Sequence, residues 1–579
     1  MKDWKEQLGD VKRALREADR PSGKRKEKLT NVDFEPPKSW LATDRSISKR
    51  DSESKGHPHP APIPPTVAVR QIGTHPRVAP TVQNPVRPSP APNAVSSSAD
   101  KRSTPSNRKM MPPVFRPRID SGCSLVMPEW GDAGRSLQHP EHQGGRPMPI
   151  MVVRIGVDFG TAFTKVAIRA GADLVPVDWS AVTGDDSETG RYVVPGLVVR
   201  APDGEYCWRR VTKGDIRGNL KLPVIEMAES EEGPIATVAY LALVIRYARA
   251  FLYRNTEIGR KLVGRSLRWE LNIGCPTEPH ENPDVVQILQ RIARTAWQLA
   301  TLDHLNESGI LTVWKTGAEN IGLEAEPHVV PEFVAQIAGY LQSPQVKEGL
   351  HALIDIGAAT LDVATFNVVM QNDLASSPLI PIFYSAVRPH GTHYLRHHRH
   401  SRLGLDLSWN DAAPVEPADE FAQQNGKLRD KVVAVDREFV EEVVQCIKEV
   451  INSTRTNRRG DPHSAAWREG LPIFVTGGGS NCILYRQAIK VVGTKLKSQV
   501  EESLRADPSV VAASNFRLIE LSPTPGNAQQ IAAADRLTVA LGLTEDAENI
   551  ARVVLHRDIE PITQSTKERV DHTDLYGDR

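Results

Sequence analysis

The feature that most constrains this chain is one short pattern used twice. Ile155-Gly156-Val157-Asp158-Phe159-Gly160-Thr161-Ala162-Phe163-Thr164 runs apolar, places a carboxylate at the end of the run, then turns on glycine and hydroxyl residues. About 200 residues later, Leu353-Ile354-Asp355-Ile356-Gly357-Ala358-Ala359-Thr360-Leu361-Asp362 repeats the order. Each reads as a strand, a tight turn and a returning strand. Gly160 lets the backbone come close and aim its amides at an anion, and Thr161 and Thr164 can donate to phosphate oxygens. A carboxylate in the same turn repels phosphate unless a divalent cation with its waters lies between them. A single Asp-x-Gly-Thr also occurs in ordinary hairpins. Two copies at domain-sized separation predict two similar domains that face each other across a metal-chelated polyanion.

A third segment fits the same ligand. Ile473-Phe474-Val475-Thr476-Gly477-Gly478-Gly479-Ser480-Asn481 is a strand running into three glycines ahead of a helix. Three glycines strip side chains from one surface. A flat nucleoside can then lie against backbone near a helix N-terminus, where negative charge is favoured. No Walker A sequence is present, which excludes a P-loop enzyme.

Between these motifs strands alternate with helices. Strands are predicted over 152–160, 166–168, 192–199, 206–211, 268–274, 352–356, 361–366 and 472–475. Helices are predicted over 236–253, 283–302, 437–452 and 528–543. That alternation is the signature of an α/β architecture. The N-terminal part differs in kind. Half of the 44 prolines fall before residue 150, in stretches such as His57-Pro58-His59-Pro60-Ala61-Pro62, where proline's missing amide forbids regular structure. Residues 1–150 carry a net charge of about +10, so the remainder sits near −9 although the whole is +1. Trp4, Leu8, Val11 and Leu15 have helical spacing, which marks 1–20 as a short amphipathic helix, either frayed on its own or a docking peptide that folds on a partner. Val32–Leu41 and Leu125–Trp130 are two aromatic islands, read either as linear binding motifs or as occasional aromatics in a disordered arm.

The five scattered cysteines form no CxxC pair, which argues against a disulfide framework or a zinc ribbon and fits a reducing cytosol. No run approaches the ~18 apolar residues of a membrane span, and Met1–Glu6 lacks a signal core. The expectation is a cytoplasmic protein. His390, His393, His397, His398 and His400 are interleaved with Arg396 and Arg399, a pattern better suited to a polar surface helix or loop than to a metal cage.

Together the two turns and the glycine loop resemble the ATP-binding superfamily shared by actin, hexokinase-type sugar kinases and the seventy-kilodalton heat-shock chaperones, over residues 150–545. The chaperone branch is the most similar. Glu332-Phe333-Val334-Ala335-Gln336-Ile337-Ala338-Gly339-Tyr340 resembles its first connecting helix, although Pro331 precedes the Glu rather than following it. Ile273-Gly274-Cys275-Pro276-Thr277 resembles a strand ending in Val-Pro-Ala. Arg536–Leu543 resembles the second connecting helix, where Ala and Gly allow close crossing. Arg388-Pro389-His390-Gly391-Thr392-His393 is a faint echo of the chaperone Gly-Asp-Thr-His loop.

The resemblance implies an α/β, two-lobed actin-like ATPase fold, with two ribonuclease H-like domains around a nucleotide cleft. Lobe I would be 150–340 and lobe II 341–545. A disordered Pro-rich basic linker, 21–149, would precede them and a polar tail, 546–579, would follow. It implies ATP and Mg2+ as cofactors, with Asp158 and Asp355 placing the metal. Asp158, Glu332, Asp355, Asp362 and Lys221 would be catalytic, Lys213 being the rival lysine. Gly160, Thr161, Ala162, Phe163, Gly357, Ala358, Ala359, Thr360, Gly477, Gly478, Gly479 and Ser480 would hold the nucleotide, Thr161 and Thr360 on its phosphates. Ala162 replaces a chaperone threonine, and Ala358 and Ala359 replace glycines, which makes binding better founded than hydrolysis. The adenine-contacting helix has only loose counterparts in Glu441, Glu442 and Lys448. Only 35 residues follow Thr544, too few for a peptide-binding domain. The implied activity is that of a nucleotide-driven switch acting on a protein partner through the arm or a lobe surface. An actin-like filament, a small-molecule kinase or a nucleotide-bound scaffold are the alternatives. No membrane partner is expected, and the basic arm leaves nucleic acid open as a secondary one.

Overall fold

The structure, a computed structural model, describes residues 125–141, 148–188, 190–209, 211–226, 232–319, 321–371, 377–407, 415–506, 517–522 and 534–560. The 1–20 segment, the arm through residue 124 with its Val32–Leu41 island, and the tail beyond residue 560 lie outside these residues.

The first apolar run becomes β1 (Ile150–Phe159), buried without a break from Ile155 to Phe159, as a strand covered on both faces must be. It pairs antiparallel with β2 (Phe163–Ala170), which pairs antiparallel with β3 (Asp173–Pro176). On its other side β1 runs parallel to β4 (Ser266–Cys275), and β4 parallel to β5 (His328–Pro331). The order is β3-β2-β1-β4-β5. The second motif generates the same sheet again. β6 (Gly349–Ile356) pairs antiparallel with β7 (Leu361–Val368), and β7 with β8 (Leu379–Arg388). On the other side β6 is parallel to β9 (Leu471–Thr476), and β9 to β10 (Leu518–Leu521). The order β8-β7-β6-β9-β10 matches the first sheet strand for strand and direction for direction.

Helices cover both faces. On sheet I, α1 (Glu232–Arg254) and α2 (Pro283–Leu299) close a core containing Trp179, Trp269, Trp297 and Tyr240. By length and composition α1 is apolar enough to cross a membrane, yet 94% of its most apolar stretch is buried inside this lobe. The Asn282 side chain accepts from the Asp284 amide and Pro283 follows it, so α2 starts where its sequence says it should. Between the sheets lies α3 (Glu332–Leu341). Beyond it come α4 (Thr392–Leu403), α5 (Arg429–Thr456) and α6 (Ile483–Ala506), the last two packed on sheet II. Then α7 (Ala534–Gly542) crosses α3 between the two sheets. Its Leu537, Ala540 and Leu541 meet Ala167 of β2, while Val539 joins α3 against sheet II. The crossing is close because Gly542 has no side chain: a Cβ there would lie 1.8 Å from the Ala335 carbonyl oxygen.

Two boundaries differ from the sequence expectation. Residues 125–141, read as part of a disordered linker, are folded onto lobe I. Leu125 is buried, Trp130 packs on Tyr247 with Arg254 over its ring, and the Trp269 indole donates to the Leu137 carbonyl at 2.7 Å. Gly134 lies so close to α1 that a Cβ would be 1.8 Å from the Arg246 carbonyl oxygen. The island Leu125–Trp130 is therefore an intramolecular anchor. At the other end, the tail begins as structure. β11 (Arg552–Val554) pairs parallel with β8, and Ile550 is buried. The predicted 192–199 strand is broken into Val194–Pro195 and Val198–Arg200, since Pro195 and Gly196 interrupt it. The 528–543 helix is described from Ala534.

Candidate functional site

Both motif turns are four residues long, joining Phe159 to its partner Thr164 and Ile356 to its partner Leu361. The registers align them. Asp158 corresponds to Asp355, Gly160 to Gly357, and Lys165 to Asp362, because Asp158 sits opposite Lys165 and Asp355 opposite Asp362. Gly160 and Gly357 play one part: a Cβ would come 2.3 Å from the Phe163 carbonyl oxygen and 3.1 Å from that of Thr360, respectively. Thr161 and Thr360 are not equivalent, however. Thr161 is the second residue of its turn, matching Ala358, and Thr360 is the fourth, matching Phe163.

The two turns meet at α3. Glu332, its first residue, is buried and forms an ion pair with the buried Lys221. Gly274 makes room for it, since a Cβ there would lie 2.9 Å from Glu332 Cγ. One helical turn later Gln336 donates from Nε2 to Asp355 Oδ2 at 2.8 Å. Lys165 Nζ donates to Asp158 Oδ2 at 2.5 Å and also bears electrostatically on Asp355. Asp158, Glu332, Asp355, Lys165 and Lys221 thus form one mutually interacting group drawn from both lobes. Asp362 joins from β7. Its Oδ2 accepts from the Thr277 amide at 3.0 Å, across the lobe boundary. That boundary is tied further along. Glu278 Oε2 accepts from the Val387 amide at 2.7 Å and from Arg388 Nη1 at 3.1 Å, and Ser385 Oγ donates to Glu281 Oε1 at 3.3 Å.

Burial dominates the electrostatics. It raises the carboxyls of Glu332 and Asp355 above the usual carboxylate range, against the pull of Lys221 on the first and Lys165 on the second. Asp362 is pushed up to about 7 by burial and by Asp355 and Glu332, with the Thr277 hydrogen bond opposing. For Lys221 burial works against the charge, but the Glu332 and Asp158 carboxylates outweigh it and its pKa rises. Raised values on both partners of the Lys221–Glu332 pair pull one proton in opposite directions. Asp158 adds a second negative neighbour to Lys221, so the ion pair is the form favoured.

The third loop packs on the second turn. Gly479 donates its amide to the Ile356 carbonyl at 2.9 Å. Gly477, at φ +86°, admits no side chain, because a Cβ would lie 2.1 Å from Asp355 Oδ1. A Cβ on Gly479 would strike Ile356 at 2.4 Å, whereas Gly478 faces open space and is exposed. Two of the three glycines are thus demanded by contact with the second turn, and only Gly478 leaves a bare surface. Ser480 is partly buried, its carbonyl held by Arg486. The segment Gly391-Thr392-His393 caps the second turn: its three amides donate to the carbonyls of Ala359, Gly357 and Ala358 at 3.0, 3.1 and 2.7 Å. The N-terminal amides of α4 are spent on the protein itself.

Gly160, Thr161, Ala162 and Phe163 are partly buried, as are Gly357, Ala358 and Thr360, while Ala359 is buried. Lys213 is exposed, at φ +61°, and Lys221 is the lysine brought to the carboxylates. Glu441 and Glu442 are exposed on α5. The histidine-rich segment is α4, and one face of it is buried: Arg399 forms a bidentate pair with Asp436 at 2.6 and 2.8 Å. Among the described residues no group of three or more His, Cys, Asp or Glu is gathered to hold a metal ion. Magnesium does not need one, since it takes one or two carboxylates and completes its shell with phosphate and water. The residues present fit such an ion. Asp355 Oδ1, Asp362 Oδ1 and Thr476 Oγ1 are buried oxygens without a hydrogen-bond partner, all hard ligands for the ion or its waters.

Sequence reasoning missed Lys165 and the role of Gln336. A signal for Lys165 existed, because it follows Asp158 at the same seven-residue offset by which Asp362 follows Asp355.

Two like-ordered sheets with paired acidic turns and two helices crossing between them define the α/β, two-lobed actin-like ATPase fold, with two ribonuclease H-like domains. No family profile and no curated protein matches the sequence. Among solved structures the chain is similar to the ethanolamine utilization protein EutJ from Carboxydothermus hydrogenoformans, at 14% identity over 71% of this chain and 94% of that one, TM-score 0.29. It is also similar to the apo psk41 ParM protein, at 11% identity over 68% and 96%, TM-score 0.31. The fold assignment rests on the strand order and the helix crossing.

Proposed function

We propose that the chain binds Mg-ATP between its lobes and uses slow hydrolysis to switch its conformation for a protein partner, as a heat-shock-70-like regulator. The observation that carries this reading is the meeting at α3 of acidic turns from both lobes, with two lysines among them. Carboxylates this buried repel one another and would repel phosphate too, and a divalent cation between them relieves both repulsions.

In this mechanism the turn backbones at Gly160–Phe163 and Gly357–Thr360 cradle the phosphates. Asp158 and Asp355 would hold magnesium, which when bound neutralises phosphate charge. Lys221 and Lys165 add cations aimed at the same place. Asp362 accepts a proton from an ordered water, a task suited to a carboxyl near pH 7. Positioning and charge neutralisation do most of the work in phosphoryl transfer. Because Glu332 and Gln336 sit on one helix packed between the two sheets, occupancy of the site would bear on how the lobes are held together.

Calorimetry with Mg-ATP tests the reading. Asp158→Ala and Asp355→Ala should abolish magnesium-dependent binding while circular dichroism stays unchanged; wild-type affinity in both variants refutes the site. ATP-dependent light scattering from the wild type would move the assignment to a filament-forming protein.

A further inference from the structure

The helix α3 is apolar along its buried length, with Phe333, Val334, Ala335, Ile337 and Ala338 all buried. Gln336 breaks that pattern at 2% exposure. Burying an amide is unfavourable unless both of its ends are bonded. Here only Nε2 is used, on Asp355 Oδ2, and Oε1 has no partner. A leucine would fill the place without that penalty, so the amide needs another reason to be there.

Its effect on Asp355 supplies one. With Oδ2 held by Gln336, the carboxylate cannot rotate freely, and Oδ1 is turned toward the Gly477 backbone, buried and without a partner. Thr476 lies beside Asp355 in register on the parallel strand, so both side chains stand on one face of the sheet. Its Oγ1 is also buried and without a partner. Two acceptor oxygens on one face, each lacking a proton donor, make a seat for a hydrated cation or for waters bound to one.

We propose that Gln336 is a positioning residue that turns Asp355 so that Oδ1, together with Thr476 Oγ1, is presented to a hydrated divalent cation. This rests on the Mg-nucleotide reading above. Gln336 acts through Asp355 and need not touch the metal.

The test is Mn2+ binding by electron paramagnetic resonance, with the metal alone and with ADP, on wild type, Gln336→Leu, Gln336→Glu and Asp355→Ala. A supporting shell residue of this kind changes metal affinity by roughly ten- to a hundredfold. Gln336→Leu should weaken Mn2+ by about tenfold at pH 7.5 with its melting temperature equal to or above that of the wild type. Gln336→Glu keeps the shape and serves if the leucine variant fails to fold. It replaces the amide donor with an acceptor facing Asp355 Oδ2, which leaves that carboxylate unheld, so it too should weaken Mn2+ by about tenfold. If Asp355→Ala loses Mn2+ while both Gln336 variants bind it like wild type, the positioning role is wrong and the site stands. If wild type binds no Mn2+ with or without ADP, the site reading fails and takes this proposal with it.

Discussion

Asp362→Asn should make this protein more stable at alkaline pH while disabling it. In the fold the carboxyl is 5% exposed and its pKa is pushed from 3.8 to about 7. The folded chain therefore holds a proton there that the unfolded chain has already released. Stability from this group is fully present below about pH 4, falls as pH rises toward 7, and stays low above it. The interval between 3.8 and about 7 corresponds to about 4 kcal/mol. Asparagine carries no charge to bury and keeps a carbonyl oxygen for the Thr277 amide, so the hydrogen bond at 3.0 Å survives. The substitution also relieves Asp355 and Glu332, each of which repels Asp362. In scanning calorimetry without metal or nucleotide, the variant should melt about 5 °C above wild type at pH 8.5, given that ~1 kcal/mol moves large domains by ~2 °C or less. The two curves should converge by pH 4.5. A gap of the same size at both pH values, or none at pH 8.5, refutes the claim that Asp362 is strained by burial. Loss of turnover alongside the gain in stability is the trade expected of a group kept for chemistry.

Enlarging Gly542 should disrupt the helix crossing. A Cβ there meets the Ala335 carbonyl oxygen at 1.8 Å, so Gly542→Ala should destabilise by about 1–3 kcal/mol in urea titration, and an unchanged midpoint would contradict the crossing. Truncation should separate arm from anchor. Removing residues 1–124 should leave Mg-ATP binding and melting temperature unchanged and abolish capture of a partner. Removing residues 1–149 should in addition lower the melting temperature, because it takes away Leu125, Trp130 and the Leu137 carbonyl that Trp269 binds; equal melting of the two truncations would show that the anchor contributes nothing.

The two sheets were legible because each begins with a largely buried strand, which writes itself as a mostly apolar run, and because each such strand carries an aspartate just before its turn. The edges were not legible. β3, β5, β10 and β11 are three or four residues long, and their pairing is decided by the strand beside them rather than by their own composition. The anchor at 125–141 was hidden by its prolines and glycines, which look like linker until the close approach of Gly134 to α1 explains them. The places of the Asp pair and Glu332 in the fold, at two strand ends and the start of α3, follow from motif position. The place of Gln336 does not, since a glutamine in a helix is ordinary unless its burial is known.

The two hairpins are not equivalent in charge. Identical register places Lys165 in lobe I where lobe II has Asp362, so the two hairpins differ in charge by two at one equivalent position. In the first, the lysine neutralises Asp158 directly. In the second, nothing cationic pairs with Asp355 on its own hairpin, and an uncharged amide from α3 holds it instead. A symmetric pair of lobes would bind a cation midway. This pair adds a lysine beside Asp158 on one side and a second carboxyl beside Asp355 on the other, so a bound cation would be drawn from midway toward lobe II and phosphate charge toward Lys165. Exchanging the two residues, Lys165→Asp with Asp362→Lys, should therefore lose Mg-ATP even though the net charge of the site is unchanged.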